Sequence, residues 1–281
     1  MILGLCVLAG ALLSGGICLG TGAFLTISWL WMLPVWFLIG FLGGVLVAAS
    51  ILVVMSAAVP MDVLPEKDSK LYRRVAHLYI KALKAILRLK ITQKGMEQWN
   101  AESRCLLVCN HTADIDPVVL LHCFKSSRLA FISKRENDRK PIVAQFMRKL
   151  MCQPINREND REALKTILRC VQLICEDEVS IGVFPEGYES LDGKLRRFRS
   201  GVFKIAQKAK VPIVVCTLHN ARPALKRMLR GKSSPVELHL IRVIYPEEFA
   251  GMTTVALGDM IYEIMAEDLG PENVYDYSQE S

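Results

Sequence analysis

The chain has 281 residues, 52% of them hydrophobic, and a formal net charge of +7. Its nine cysteines include no paired CxxC, so they carry neither zinc-site spacing nor a disulfide framework, and free thiols fit a reducing cytoplasm. A basic balance suits nucleic acid, anionic lipid or a phosphorylated substrate, but the interleaved aromatics and recognition motif of a nucleic-acid binder are missing.

From Met1 to Met61 no residue is charged; the first charge is Asp62. A helix crosses a bilayer in about 20 apolar residues, so the stretch has room for two, expected near Leu3–Leu25 and Phe37–Ala57. The break falls within "TISWLWMLPVW", Thr26–Trp36, where three tryptophans surround Pro34. Tryptophan favours the membrane interface and proline interrupts helices. A cleaved signal would need a basic leading region and a short apolar core, and neither is present. The small residues Gly10, Gly15, Gly16, Gly20, Gly22, Gly43 and Gly44 allow a hairpin of two closely packed helices. Such a hairpin either crosses the bilayer twice or dips into one leaflet. Lys67, Lys70, Arg73, Arg74, Lys81, Lys84, Arg88, Lys90 and Lys94 follow it closely. That excess marks the cytoplasmic side, so the expected location is a cell membrane with the rest of the chain facing the cytoplasm.

Ser69–Ile91 repeats Leu71, Val75, Leu78, Ala82, Ile86 and Leu89 at helical spacing among basic residues. This predicts an amphipathic basic helix, which either lies on an anionic surface or covers the core with a solvated face. Beyond Gly95, strands are expected at Cys105–Cys109, Leu129–Ser133, Ser180–Phe184, Ile213–Leu218 and Val236–Ile244. Helices are expected at Pro117–Phe124, Pro141–Leu150, Asp160–Glu176, Ser200–Ala209, Arg222–Leu229 and Thr253–Asp268. The alternation predicts an α/β fold, a layered sheet with helices on both faces, preceded by the N-terminal apolar hairpin. The expected division is 1–61 as membrane-anchoring helices, 62–94 as the basic amphipathic segment and 95–281 as the main domain. The acidic tail "GPENVYDYSQES" is expected to end the fold loosely.

Three stretches carry chemistry. In "CNHTADIDPV", Cys109–Val118, His111 and Asp116 lie five apart across a strand-to-helix turn. There the aspartate can accept from one imidazole nitrogen and leave the other as a base; Asp114 competes for that role. The bland alternative makes Asp116 the N-cap and Pro117 the first residue of a helix. In "GVFPEGYESLDGKLRRFRSG", Gly182–Gly201, a tight turn projects Glu186, and Gly187 admits a ligand to the backbone. Arg196, Arg197, Arg199 and Lys204 then cluster at the start of a helix, where cations oppose the dipole unless an anion binds. Lys134 and Arg157 each end an apolar run and can reach a phosphate, arginine with a bidentate fork.

His111-x4-Asp116, Lys134, Ile155-Asn156-Arg157, Phe184-Pro185-Glu186-Gly187 and Val211-Pro212-Ile213 follow in that order. Over Gly95–Ile244 the order resembles the glycerophospholipid acyltransferases, the lysophosphatidic acid acyltransferase family, and implies a glycerol-3-phosphate acyltransferase-like fold. The resemblance implies His111 as general base toward the acceptor hydroxyl, with Asp116 supporting its ring. Glu186 and Gly187 would form the acceptor-binding block, Lys134 and Arg157 would surround the phosphate, and Val211-Pro212-Ile213 would serve the acyl side. It further implies acyl-CoA or acyl-carrier protein as co-substrate, membrane lipid as partner, no nucleic acid, and no metal or organic cofactor. Three stretches depart from the family's pattern as the resemblance implies it: Ala113 replaces Ser or Thr, Tyr188-Glu189 replaces Thr-Arg, and Asn156 replaces aspartate. Arg196, Arg197 or Arg199 is the expected replacement for the lost cation. Another lysolipid or lipid-like alcohol as acceptor, or a non-catalytic lipid-binding relative, are the alternatives. A serine hydrolase lacks its Gly-x-Ser-x-Gly elbow here.

Overall fold

A computed structural model describes residues 1–62, 65–100, 103–190 and 192–277. The first two helices, α1 (Ile2–Gly20) and α2 (Trp29–Ala57), are long and apolar enough to cross a membrane. They pack as a hairpin through glycine. A Cβ on Gly10 would fall 2.7 Å from the Phe37 carbonyl oxygen, and one on Gly40 2.9 Å from that of Ala9. Gly15, Gly16, Gly20 and Gly43 meet nothing on the other helix. The break comes earlier than expected, at Gly22 with φ +67°, and Pro34 lies inside α2. Pro34 is the sixth residue of α2, past the first turn, so it removes one intrahelical donor, the one that would face the Leu30 carbonyl.

Helix α3 (Lys70–Ile86) begins at Ser69, whose side chain accepts the Tyr72 N–H. It lies along α2, with the Tyr72 hydroxyl donating to the Met55 carbonyl and the Tyr79 hydroxyl to that of Ala48. Arg73 turns inward, binding Asp68 at 2.6 and 2.9 Å and the Leu129 carbonyl at 3.0 Å. The helix stops five residues before the expected Ile91. Arg88 takes a left-handed φ of 51° and the chain enters strand β1 (Leu89–Lys94). That strand precedes Gly95 and is hydrogen-bonded into the sheet.

The remaining elements, in chain order, are β2 (Leu106–Val108), α4 (Asp116–Cys123), β3 (Leu129–Lys134), α5 (Val143–Lys149), β4 (Gln153–Ile155), α6 (Asp160–Cys175), β5 (Ser180–Val183), α7 (Lys204–Ala209), β6 (Ile213–His219), α8 (Ala224–Leu229), β7 (Ser234–Ile244) and α9 (Thr254–Leu269). Among the described residues the strands form one seven-stranded sheet in the order β1-β7-β6-β2-β5-β3-β4. Strands β2 to β6 run parallel; β7 pairs antiparallel to β6 and carries β1 beside it. The α/β reading with helices on both faces holds. β4 was not expected; it is a three-residue edge strand containing Pro154, a residue that sheets confine to their edges.

Side chains alternate across the sheet. Leu106, Val108, Ile181, Val183, Ile213 and Val215 face α6, α7 and α9. Leu107, Val214, Cys216, Val236 and Leu238 face α4 and α8. On α6, Ile167, Leu173 and Ile174 lie on one stripe against the sheet, each contributing about 1.5–3 kcal/mol by burial. Cys105, Cys109, Cys170 and Cys216 are buried free thiols packed in these layers. The tail is less loose than expected: Leu195 bridges to Val274, and the Tyr275 N–H donates to the Leu195 carbonyl. Residues 278–281 of that tail lie outside the described residues.

Because β2, β3, β4 and β5 are parallel neighbours, the loops leaving their carboxyl ends gather on one edge of the sheet. Those loops carry His111, Lys134, Arg157 and Glu186. This edge is where parallel α/β sheets hold their sites.

Candidate active site

The site grows out of the loop between β2 and α4. Asn110, buried, pins that loop to β6: its Nδ2 donates to the Leu218 carbonyl at 3.0 Å, and its Oδ1 accepts the Leu218 N–H at 2.7 Å. His111 follows. Its Nδ1 lies 2.9 Å from Asp116 Oδ2, and its Nε2 has no partner among the described residues. The imidazole lies nearly parallel to Phe184 at a centroid distance of 4.2 Å, and Phe184 in turn stacks on Phe131 at 5.8 Å. Gly182 allows that stack, since a Cβ there would fall 2.6 Å from the Phe131 ring.

Asp116 is not the N-cap. Ile115 holds that position, and Asp116 is the first residue of α4, ahead of Pro117. Its fully buried Oδ2 accepts three hydrogen bonds, from His111 Nδ1, the Thr112 N–H at 2.6 Å and the Ala113 N–H at 2.8 Å. The aspartate therefore shapes the loop and orients the ring together. Ala113 contributes only its backbone N–H to this arrangement.

Glu186 closes the same loop from the other side. It is 1% exposed, and its two oxygens accept the His111 N–H at 2.9 Å and the Arg196 N–H at 3.1 Å. Burial pushes its carboxyl up to about 7; the two N–H donors pull the other way and lose. Glu186 is thus a brace joining the histidine loop to the arginine segment, and both its oxygens are occupied. Ser190 adds a second tie, donating its N–H to the His111 carbonyl at 2.8 Å. Gly187 has φ +84°, and the Arg199 side chain comes within 2.9 Å of where a Cβ would be. No other residue fits that turn without moving Arg199.

The five candidate phosphate-binding cations fare differently. Arg157 is half-buried, and burial followed by the nearby charge of Arg199 lowers its pKa from the ordinary guanidinium value. The carboxylate of Glu136 acts the other way on the same guanidinium. Arg196 is engaged otherwise: its guanidinium binds Asp192 at 2.9 Å and lies 3.9 Å over the Tyr275 ring. Arg197 stacks on Tyr277 at 4.4 Å and donates its N–H to that residue's hydroxyl. Lys134 is exposed at the end of β3, with no hydrogen-bond partner among the described residues.

Asn156 holds a turn: its Nδ2 donates to Glu162 at 2.9 Å and its Oδ1 accepts the Glu158 N–H. Val211-Pro212-Ile213 is not brought to the histidine. It starts β6 at the opposite edge, where the Pro212 carbonyl accepts the Leu106 N–H. Sequence reasoning did not find Asn110, the Phe184 stack, or Tyr275 and Tyr277. The asparagine before His111 was visible in sequence, but a partner on β6 was not.

A model of the protein family described as Acyltransferase matches residues 90–219. Among curated proteins, the chloroplastic 1-acyl-sn-glycerol-3-phosphate acyltransferase of Brassica napus is 30% identical over 203 residues, 70% of this chain and 57% of that protein. A chloroplastic 1-acyl-sn-glycerol-3-phosphate acyltransferase of Arabidopsis thaliana is 33% identical, over 52% of this chain and 42% of that protein. The chain thus spans about half the length of these relatives. Among solved structures, the 1-acyl-sn-glycerophosphate (LPA) acyltransferase PlsC of Thermotoga maritima superimposes with a TM-score of 0.60. It is 20% identical and is matched over 79% of this chain and 86% of its own.

Proposed function

We propose that the chain is an acyltransferase of the family whose model it matches, and that it transfers a fatty acyl group to the free hydroxyl of lysophosphatidic acid, making phosphatidic acid in phospholipid biosynthesis. The donor is an acyl thioester, of coenzyme A or of acyl-carrier protein. The observation that carries this reading is the imidazole of His111, held through Nδ1 by buried Asp116 with Nε2 left free. That is the arrangement of a general base.

In the proposed reaction Nε2 takes the acceptor's hydroxyl proton as the oxygen attacks the thioester carbonyl. The tetrahedral intermediate collapses, the C–S bond breaks, and the imidazolium returns its proton to the departing thiolate. Asp116 supports the charge that the ring gains in between. The acceptor phosphate sits against Arg157 and Arg199, with Lys134 at the mouth. Arg196 shapes the pocket through its backbone and its stack on Tyr275. A positioned base typically contributes about 10²–10⁴-fold, and holding alcohol and thioester together adds more.

Residues 1–61 anchor the protein in a membrane, where acceptor and product both reside. The segment 62–94 lays its basic face toward the lipid headgroups and lends β1 to the acyltransferase domain 95–281, which faces the cytoplasm. Tyr188 and Glu189, in place of the family's Thr-Arg, favour one alternative: a lysolipid with a different headgroup. The test is acyl transfer by the protein in detergent or liposomes, from labelled acyl-CoA and acyl-carrier protein, to a panel of lysolipids. Lysophosphatidic acid as preferred acceptor supports the reading. Preference for another lysolipid replaces the acceptor, and no transfer to any of them from folded protein removes the enzymatic reading.

A further inference from the structure

On the sheet face covered by α9, two histidines and an aspartate converge. His219 ends β6, His239 lies in β7 opposite Thr217, and Asp268 is in the last turn of α9. His219 Nε2 is 2.9 Å from Asp268 Oδ2, and His239 Nδ1 is 3.0 Å from each Asp268 oxygen. One ligand atom from each residue fits within 4.8 Å of the others. The imidazoles are tilted by 38° at 4.4 Å between centroids.

We propose that His219, His239 and Asp268 form a binding site for a divalent transition metal, best matched by Zn²⁺. Two imidazole nitrogens and one carboxylate are a donor set that zinc takes, commonly with water as fourth ligand. At Zn–N distances of about 2.0–2.1 Å, tetrahedral donor atoms stand about 3.3 Å apart, so the present N–O separations need little adjustment. The surroundings also resemble those of a metal site. Glu237 lies 3.4 Å from His239 Nε2, the nitrogen turned away from the cluster, and orients that ring. The Thr217 hydroxyl donates to Asp268 Oδ2 and fixes the carboxylate. Each donor sits on a backbone held by buried neighbours, Leu218, Leu240 and Leu269, so the site is largely preformed.

Occupancy would fasten the end of α9 to β6 and β7. The chain leaves α9 at Gly270 and within a few residues places Tyr275 and Tyr277 on Arg196 and Arg197. The metal therefore steadies the tail that covers the arginine segment, while taking no part in acyl transfer.

The test uses the full chain in detergent, stripped with chelator and then titrated with Zn²⁺ or Co²⁺. We expect one equivalent to bind and the visible absorption of tetrahedral Co²⁺ to appear. At Zn²⁺ near 100 times its dissociation constant, Tm should rise by about 5–10 °C. His239→Ala and the milder Asp268→Asn should each abolish the cobalt band, whereas His111→Ala should keep it. The cobalt spectrum of the wild type needs no variant to fold, so a destabilised mutant cannot obscure the result. No metal bound by folded wild type, or a band that survives Asp268→Asn and vanishes in His111→Ala, would overturn the proposal and leave a hydrogen-bonded cluster only.

Discussion

Asp116 Oδ2 lies 2.9 Å from His111 Nδ1 and accepts two backbone N–H groups besides. One buried oxygen therefore sets both the histidine's orientation and the shape of its loop. Asp116→Asn exchanges a charged acceptor for a neutral amide that cannot support a protonated ring. We expect kcat to fall about 10²–10⁴-fold. Tm should also fall, since charge-assisted bonds to the loop weaken by about 1–3 kcal/mol in all. Steady-state kinetics with a thermal melt separates the two. A variant with lowered Tm and unchanged kcat would assign Asp116 a structural role alone.

Glu186 links pH to stability. Burial raises its carboxyl from the ordinary 4.5 to about 7 in the fold. The native state therefore holds a proton that the unfolded chain has already released between those values. Its contribution is fully present below pH 4.5 and is lost as pH rises through 7, on the order of 3 kcal/mol. His77 acts oppositely: burial, then the charge of Arg73, lowers it from 6.5 to about 4. Its contribution is present above 6.5 and lost as pH falls through 4. The two slopes oppose each other in the wild type, so the readout is a difference. Tm of Glu186→Gln minus Tm of wild type should rise between pH 4.5 and 7. A flat difference would mean that Glu186 is ionised throughout.

Arg157 and Arg199 should divide from Arg196 in their effects. The first pair oppose each other's charge beside the Gly187 turn, whereas Arg196 is engaged by Asp192 and Tyr275. Arg157→Ala and Arg199→Ala should each raise the acceptor's KM about 10–100-fold, as loss of a charged hydrogen bond of about 1.5–3 kcal/mol implies. The KM for the acyl donor should hardly move. Arg196→Ala should mainly lower Tm. If all three variants left the acceptor's KM unchanged, none of these arginines would bind its phosphate.

Arg73 ties α3 to the sheet from inside. It pairs with Asp68, the two side chains being 9% and 3% exposed, and reaches the Leu129 carbonyl. Removing one member of a buried pair typically costs about 3–5 kcal/mol, because the other charge stays behind. Arg73→Ala should lower stability by that amount in chemical denaturation, and the double variant with Asp68→Ala should recover part of it. Strict additivity of the two would show that they do not interact.

Much of the fold was legible because its central strands are apolar runs bounded by turn residues. Cys105–Cys109, Ser180–Val183 and Ile213–Leu218 are buried on both faces, and each reads as a strand. The outer strands did not. In β1, Leu89 continues the helical spacing of α3, but the helix ends at Ile86 and the chain turns at Arg88, a left-handed residue that is not glycine. β4 is three residues long and contains a proline. In the candidate site, His111, Asp116 and Glu186 were legible because each sits in a short stretch at the end of a strand. The bonds that join them were not, since the His111–Glu186 brace and the Arg196–Tyr275 stack connect residues 75 and more positions apart. Asp116 followed by proline reads as an N-cap; the carboxylate instead serves the residues before it. The His219, His239 and Asp268 cluster leaves no local spacing at all, because β6, β7 and α9 bring it together.

The most direct test of the central claim is the single-turnover rate of acyl transfer to lysophosphatidic acid, in wild type and in His111→Ala, with donor binding measured alongside. The account predicts a loss of about 10²–10⁴-fold in rate, with donor affinity and Tm close to wild type. A folded His111→Ala protein that transfers acyl groups within tenfold of the wild-type rate would contradict it.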